Sequence, residues 1–376
     1  MNIRHLYLDY ASTTPLSLEM QTYLSSILKE FGNPSSAHSV GHSARQIIAK
    51  ARQSVAKFIH ADTKDVYFTP SGSASNTLAI QGYYQSNNCI ILYSPIAHKS
   101  VLNCVKSCRN SYPLKVDKDG VIDFDDLKEW LDTRDIKPLV VIDYANSEIG
   151  TIQEAKKLIE LVHFYNGRIY LDCTGSIPAI PIDVKKLDAD MIGFSGHKIG
   201  GLKGCGVLYK KKDIDIEPLI YGSQEKGLIG GTENVLGIAS LGKAVEDYDY
   251  SFISSANRDD VYDYIEKNIH DSYLVGASIE SGNRLPHNLF ICFKGVEGES
   301  LMILLDTNGI QVSTGSACSS GDLTPSATLS AIGMDEQDIH SCIRMSFSGN
   351  ESQEELDFVC KALKQCVENL RNFNNI

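Results

Sequence analysis

Short apolar runs bounded by turn residues alternate with longer stretches of helical period over the first two-thirds of the chain. The runs are DVYFT (Asp65–Thr69), CIILY (Cys89–Tyr93), LVVIDY (Leu139–Tyr144), RIYLD (Arg168–Asp172), MIGFS (Met191–Ser195) and GCGVLY (Gly204–Tyr209). Each is short enough for a strand, and most are too continuously apolar for a strand with one wet face. Helical pattern follows the first run from about Ser73, the second from near His98, and the third as EAKKLIELVHFY (Glu154–Tyr165). This alternation predicts an α/β fold with a mainly parallel sheet covered on both faces. Ligands of such sheets bind at the carboxyl ends of the strands.

The pattern changes toward the C-terminus. NLFICF (Asn288–Phe293) and CIRMSF (Cys342–Phe347) read as strands, and GESLMILLDTNG (Gly298–Gly309) as a helix closed by glycine. Leu356, Val359, Leu363, Val367 and Leu370 are spaced as the buried face of a last helix. A smaller α+β unit is expected here, joined to the first by one long helical segment around Tyr248–Ile269. No internal repeat or low-complexity tract interrupts the chain.

Composition narrows the function classes. With 376 residues, 43% hydrophobic and 22% charged, the chain has material for a sizeable core. A net charge of −12 opposes direct nucleic-acid binding, which needs cations to neutralise phosphates. No apolar run reaches the length of a membrane span, and the N-terminal MNIRHLYLDYAS lacks the apolar stretch of a secretory leader. The ten cysteines are scattered without a Cys-x-x-Cys pair, so neither a zinc site nor a disulfide framework is indicated. Reduced thiols in a cytoplasmic protein are the expectation.

Candidate chemistry gathers at the strand ends. Lys198 follows MIGFS in the glycine-rich FSGHKIGG turn, and a lysine with a lowered pKa condenses with aldehydes. Asp172 ends RIYLD, where a buried carboxylate needs a partner and a pyridinium nitrogen is one. SGSASNT (Ser71–Thr77) opens a helix whose first N–H groups suit an anion. His98 stands at another strand-to-helix junction. Taken singly, each has an ordinary reading: a surface lysine, a capping aspartate, a Ser/Gly turn, a structural histidine. Together they are what pyridoxal 5′-phosphate requires, and no G-x-G-x-x-G or G-x-x-x-x-G-K-[ST] fingerprint competes. Arg344 shares a strand face with Cys342 and Ser346, which suits a carboxylate clamp. STGSACSSG (Ser313–Gly321) places Cys318 in a small, polar stretch that reads as a mobile, solvated loop.

Nine motifs then carry a resemblance: LYLDYASTTP (Leu6–Pro15), FGNPSSAHSVG (Phe31–Gly41), AHKSVL (Ala97–Leu102), NSEIGTIQ (Asn146–Gln153), FSGHKIG (Phe194–Gly200), GGTENV (Gly230–Val235), VEGESLM (Val296–Met302), STGSACSSG and SCIRMSFS (Ser341–Ser348). In this order the chain resembles the cysteine desulfurases of the class V aminotransferase family, and among them the long-loop group. The resemblance implies the PLP-dependent transferase fold of aspartate-aminotransferase type. Its large domain, about 14–250, would carry a mainly parallel seven-stranded sheet. Residues 1–13 and 251–376 would form the small domain, with the catalytic loop at about 313–325. Lys198 would hold the cofactor covalently and move protons. Asp172 would pair with the ring nitrogen, and His98 would stack on the ring and assist proton transfer. Gly72, Ser73, Ser195 and His197 would bind the phosphate, with Thr232 reaching it from the other subunit of a homodimer. Asn146 and Arg344 would hold the substrate carboxylate, and Cys318 would take the sulfur of L-cysteine as a persulfide for a protein acceptor. No metal is implied.

Four departures stand out. Gly175 replaces a glutamine aimed at the ring oxygen, which predicts a perturbed cofactor titration. Ile229 stands where many members have arginine, and Leu202 where proline is common. The chain also stops soon after its last helix, at NLRNFNNI, which points away from a general iron–sulfur scaffold and toward a specialised acceptor. Iron–sulfur assembly, tRNA thiolation and DNA phosphorothioation all remain open. Two other functions remain as well: another lyase or transaminase on this fold, such as a selenocysteine lyase, or a weakly active docking subunit.

Overall fold

The computed structural model describes residues 5–133, 137–314 and 325–374. The chain opens with β1 (Leu6–Tyr7) and then builds a seven-stranded sheet. Its strands are β2 (Val66–Thr69), β3 (Ile91–Tyr93), β4 (Ser111–Pro113), β5 (Leu139–Asp143), β6 (Arg168–Asp172), β7 (Met191–Ser195) and β8 (Gly206–Lys210). Across the sheet they run β2-β8-β7-β6-β5-β3-β4. The pairs β7/β6, β6/β5, β5/β3 and β3/β4 are parallel. β8 is antiparallel to both neighbours. A parallel return needs a crossover of about a dozen residues or more, and the short 196–205 connection between β7 and β8 does not supply it.

Side-chain alternation divides the central strands between two apolar cores. Val140, Ile142, Ile169 and Leu171 pack on one face with Val55 and Ile159. Leu139, Val141 and Tyr170 pack on the other with Leu78 of helix Gly72–Asn87 and Val101 of helix Lys99–Val105. By the same alternation Asp143 and Asp172, each the last residue of its strand, point to this second face.

A second sheet, antiparallel in the order β12-β10-β9, comprises β9 (Ser272–Leu274), β10 (Asn288–Phe293) and β12 (Cys342–Ser346). The short β11 (Ile310–Gln311) pairs in parallel with β1 and so brings the N-terminal segment to this unit. Helix Gln353–Asn374 covers the sheet with Leu356, Val359, Leu363 and Val367 buried and Leu370 partly so, as the spacing predicts. The single helix expected around Tyr248–Ile269 is a correction. A short 3-10 turn, Tyr250–Phe252, precedes helix Ala256–Asn268. Asp249 Oδ1 accepts from Ser251 N and Ser254 Oγ from Ala256 N, so these side chains compete with a continuous helix for the backbone donors.

Candidate active site

Nine of the predicted residues line one cavity of about 430 Å³: Gly72, Ser73, His98, Asn146, Asp172, Ser195, His197, Lys198 and Arg344. The cavity lies at the carboxyl ends of β5, β6 and β7, where the sheet topology directs a ligand. Thr232 is exposed on the loop before helix Val235–Asp247 and is outside this cavity on its own chain. Cys318 lies outside the described residues. On either side of it, Ser313 is joined to Arg344 through backbone hydrogen bonds, and Ser326 and Thr328 line the cavity.

Asp172 is 3% exposed and held by two donors. Asn76 Nδ2 reaches Oδ2 at 2.7 Å, and the Thr174 backbone N–H reaches Oδ1 at 2.9 Å. Asn76 is oriented in turn by the Tyr170 hydroxyl, which donates to its Oδ1 at 2.5 Å. Its amide also donates to Ser100 Oγ at 2.8 Å. The Ser100 hydroxyl and N–H then both point at His98 Nδ1, at 2.7 and 3.1 Å. His98 Nδ1 is therefore an acceptor, and the neutral ring carries its proton on Nε2. Tyr170, Asn76, Ser100, His98 and Asp172 thus form one connected network. Sequence reading missed Asn76 because a polar residue inside a helix ordinarily faces water.

Lys198 sits in the 3-10 turn Gly196–Ile199, and its Nζ donates to the Ala11 carbonyl at 2.5 Å. The N-terminal segment also clasps this turn through Thr14, whose hydroxyl donates to the Lys198 carbonyl at 2.8 Å. His197 Nδ1 lies 3.1 Å from the Thr13 hydroxyl. Burial first, then the neighbouring Lys198 and Lys203, push His197 down to about 4, so the ring is neutral near pH 7.

Helix Gly72–Asn87 aims its N-terminus into the cavity and is capped by Ser71, whose Oγ accepts from Ala74 N at 3.1 Å. A Cβ on Gly72 would stand 3.0 Å from Thr174 Oγ1 and 3.2 Å from Ser195 Cβ. The absent side chain leaves the first backbone donors open to an anion. This cradle, the buried acceptor Asp172 and the amine of Lys198 fit pyridoxal phosphate at three separate points of that molecule.

Arg344 enters from β12 and is 5% exposed. It is not a surface ion pair: Nη2 contacts Asp9 Oδ1 at 2.7 Å and Ser12 Oγ at 2.8 Å, and Nη1 donates to the Ser147 carbonyl at 3.0 Å. Its Nε is buried without a hydrogen-bond partner among the described residues, and the side chain lines the cavity. Asn146 is more committed to the fold than sequence implied. Its amide donates to the Ile96 carbonyl at 2.7 Å, and its Oδ1 accepts from the N–H groups of Glu148 and Ile149. Asp143 was also missed, although it ends β5 as Asp172 ends β6.

The departures have structural reasons. A Cβ at Gly175 would lie 2.5 Å from the Ala145 carbonyl oxygen, so any larger residue must displace the loop that carries Asn146. Ile229 is 7% exposed and belongs to an apolar core, not to the cavity. Leu202 donates its N–H to Ser240 Oγ at 2.9 Å, a bond that proline lacks the donor to make. The nine described cysteines are buried free thiols. Burial pushes Cys89 up to about 11, and Cys104, Cys205 and Cys360 up to about 12, away from thiolate reactivity.

Comparison with known proteins agrees with this geometry. The profile of the family described as Aminotransferase class-V matches residues 6–359. Cysteine desulfurase IscS of Dictyoglomus turgidum is 39% identical over 99% of this chain and 96% of its own length. The solved structure of a NifS-like protein from Rickettsia africae superposes with a TM-score of 0.88 at 28% identity, covering 97% of this chain and 100% of its own. The structure of SspA in complex with cysteine has a TM-score of 0.79 at 28% identity, covering 92% of this chain and 100% of its own. The chain belongs to the class-V aminotransferases and, within them, to the pyridoxal phosphate-dependent cysteine desulfurases.

Proposed function

We propose that Lys198, Asp172, His98, Arg344 and Cys318 divide the work of desulfuration in the manner their positions favour. The observation that carries this reading is one cavity where a lysine amine, a buried aspartate and an open helix N-terminus meet an arginine from the second sheet. Pyridoxal phosphate supplies an electron sink for charge developing at the substrate α-carbon. Asp172 holds a proton on the ring nitrogen. The N–H groups at Gly72 and Ser73, with Ser195 and His197, hold the phosphate. Lys198 anchors the cofactor and moves protons at the substrate α- and β-carbons, and His98 covers the ring. Arg344, which lines the cavity with Asn146, receives the substrate carboxylate.

The cysteine desulfurase family acts on L-cysteine and passes its sulfur to acceptor proteins. Here Cys318 takes that sulfur. Its thiolate attacks the substrate sulfur, an S–S bond forms, the C–S bond breaks and the β-carbon gains a proton. L-cysteine and one thiol become L-alanine and one persulfide. The nine buried thiols support Cys318 as the carrier, because none of them offers an exposed sulfur. The cysteine held by the related SspA supports the substrate.

A homodimer fits Thr232, which is exposed and away from its own cavity, and the exposed Phe31 and Tyr221. The separate apolar cores fit a large domain of 14–250 and a small one of 1–13 with 251–376. No described helix is long and apolar enough to cross a membrane, and a cytoplasmic setting suits nine free thiols.

The test follows alanine from L-cysteine with cofactor-loaded protein and no acceptor or reductant. About one alanine per site and a persulfide on Cys318 are expected. Full activity in Cys318→Ser would replace this reading with that of a lyase that needs no carrier thiol.

A further inference from the structure

Asp143 has no part in the roles above, yet it is one of the most isolated polar groups in the molecule. It is 5% exposed, and neither carboxylate oxygen has a hydrogen-bond partner among the described residues. The Ser94 hydroxyl, from the loop after β3, also lacks a partner of full hydrogen-bond geometry among the described residues and faces Asp143. Asp143 lines the active-site cavity and is the register partner of Asp172 on the adjacent parallel strand. Side chains at paired positions leave a sheet on the same face, with strands about 4.8 Å apart. Two carboxyl groups therefore stand side by side where one would serve to hold the ring nitrogen.

Two neighbouring carboxylates in a buried site do not both ionise readily, and the one that accepts more hydrogen bonds keeps the charge. Asp172 accepts from Asn76 at 2.7 Å and Thr174 at 2.9 Å, whereas Asp143 has only looser contacts with Ser94 and Asn146, none of full hydrogen-bond geometry among the described residues. We propose that Asp143 is a positioning residue whose own ionisation sets how firmly Asp172 holds the proton of the cofactor ring nitrogen. Below neutrality Asp143 is protonated and adds no charge beside Asp172. When Asp143 ionises, a second negative charge joins it and the ring nitrogen holds its proton more tightly. Burial, and then the Asp172 charge, raise the Asp143 carboxyl to about 7, which puts this change within a working pH range. The groups facing Asp143 are Asp172 from β6, Ser94 from the β3 loop and Asn146 from its own loop.

The inference rests on the placement of the ring nitrogen at Asp172. The test uses the holoenzyme and the conservative variant Asp143→Asn, with Asp143→Leu as a second, apolar replacement. Infrared difference spectra at pH 6 should show a carboxylic-acid carbonyl band in the wild type that both variants lose. Glu148→Gln, which alters the other cavity carboxyl raised by burial, should retain it. The cofactor absorbance of the wild type should show a titration step near pH 7 that Asp143→Asn removes. An acid band that persists in Asp143→Asn, or cofactor titrations that coincide, would overturn the proposal while the cofactor assignment stands. A wild-type chain that takes up no cofactor would overturn both, and the missing cofactor absorbance distinguishes that case.

Discussion

Asn76 makes three side-chain hydrogen bonds to residues of two different elements. Tyr170 lies within β6, Asp172 ends it, and Ser100 belongs to helix Lys99–Val105. One amide therefore fixes both the Asp172 carboxylate in the cavity and, through Ser100, the tautomer of His98. Asn76→Ala removes all three bonds and leaves the Tyr170 hydroxyl buried without its acceptor. A loss of about 2 kcal/mol in stability is expected from such a deletion. Cofactor affinity should fall about tenfold, the equivalent of roughly 1.4 kcal/mol. Urea unfolding and cofactor titration of the same variant check both, and cofactor affinity equal to that of the wild type would confine Asn76 to a structural part. Gly175 belongs to this scale too. The missing glutamine is not a simple vacancy, because the Ala145 carbonyl occupies the space where its Cβ would begin.

Among elements, β2 is one edge of the main sheet, a position where unpaired backbone groups would invite association. The loop before Thr232 closes that edge. Glu225 accepts from Arg52 Nη1 and Nη2 at 2.7 and 2.6 Å and from the Phe68 N–H at 2.9 Å. Arg52 also donates to the Val66 carbonyl at 2.8 Å and lies 4.7 Å from the Phe68 ring centroid. To reach this position Glu225 and Lys226 both adopt positive φ, 46° and 59°, at a cost that the ion pair offsets. Glu225 is almost wholly buried, so removing it alone strands a cation. Glu225→Ala should cost about 3 kcal/mol, and adding Arg52→Ala should cost little more. Additive losses in a double-mutant cycle would show that the two residues act separately.

For the whole molecule, buried histidines set the acid response. His287 is 8% exposed and, like His197, is lowered from 6.5 to about 4, in each case chiefly by burial. Between about 4 and 6.5 the unfolded chain binds more protons at these rings than the folded chain does, so stability rises with pH. Asp143 has the opposite sign, because its folded carboxyl keeps a proton from 3.8 up to about 7 that the unfolded one releases. Glu148, also raised by burial, shares that sign, so the histidine part is read by difference. The histidines' contribution to the denaturant midpoint should fall from pH 6.5 to pH 4.5. His287→Gln should flatten that fall by on the order of 1–3 kcal/mol. Parallel pH profiles for wild type and variant would remove His287 from the account.

Sequence alone determined the strands and their order of appearance, since apolar runs mark buried strands, and it placed the candidates Lys198 and Asp172 at strand ends, where the structure has them line one cavity. It also singled out Cys318 as a candidate carrier, through a composition that cannot form a core, in a stretch outside the described residues. Tertiary structure decided the rest, because hydrogen-bond partners distant in sequence carry no local signal. Asn76 reaches Asp172 across 96 positions, and Asp9 reaches Arg344 across 335. The antiparallel return of β8 comes from a connection too short to cross over, and the closeness of Asp143 to Asp172 comes from strand register. Periodicity reveals which face a side chain takes, but only the folded sheet decides which side chain stands beside it.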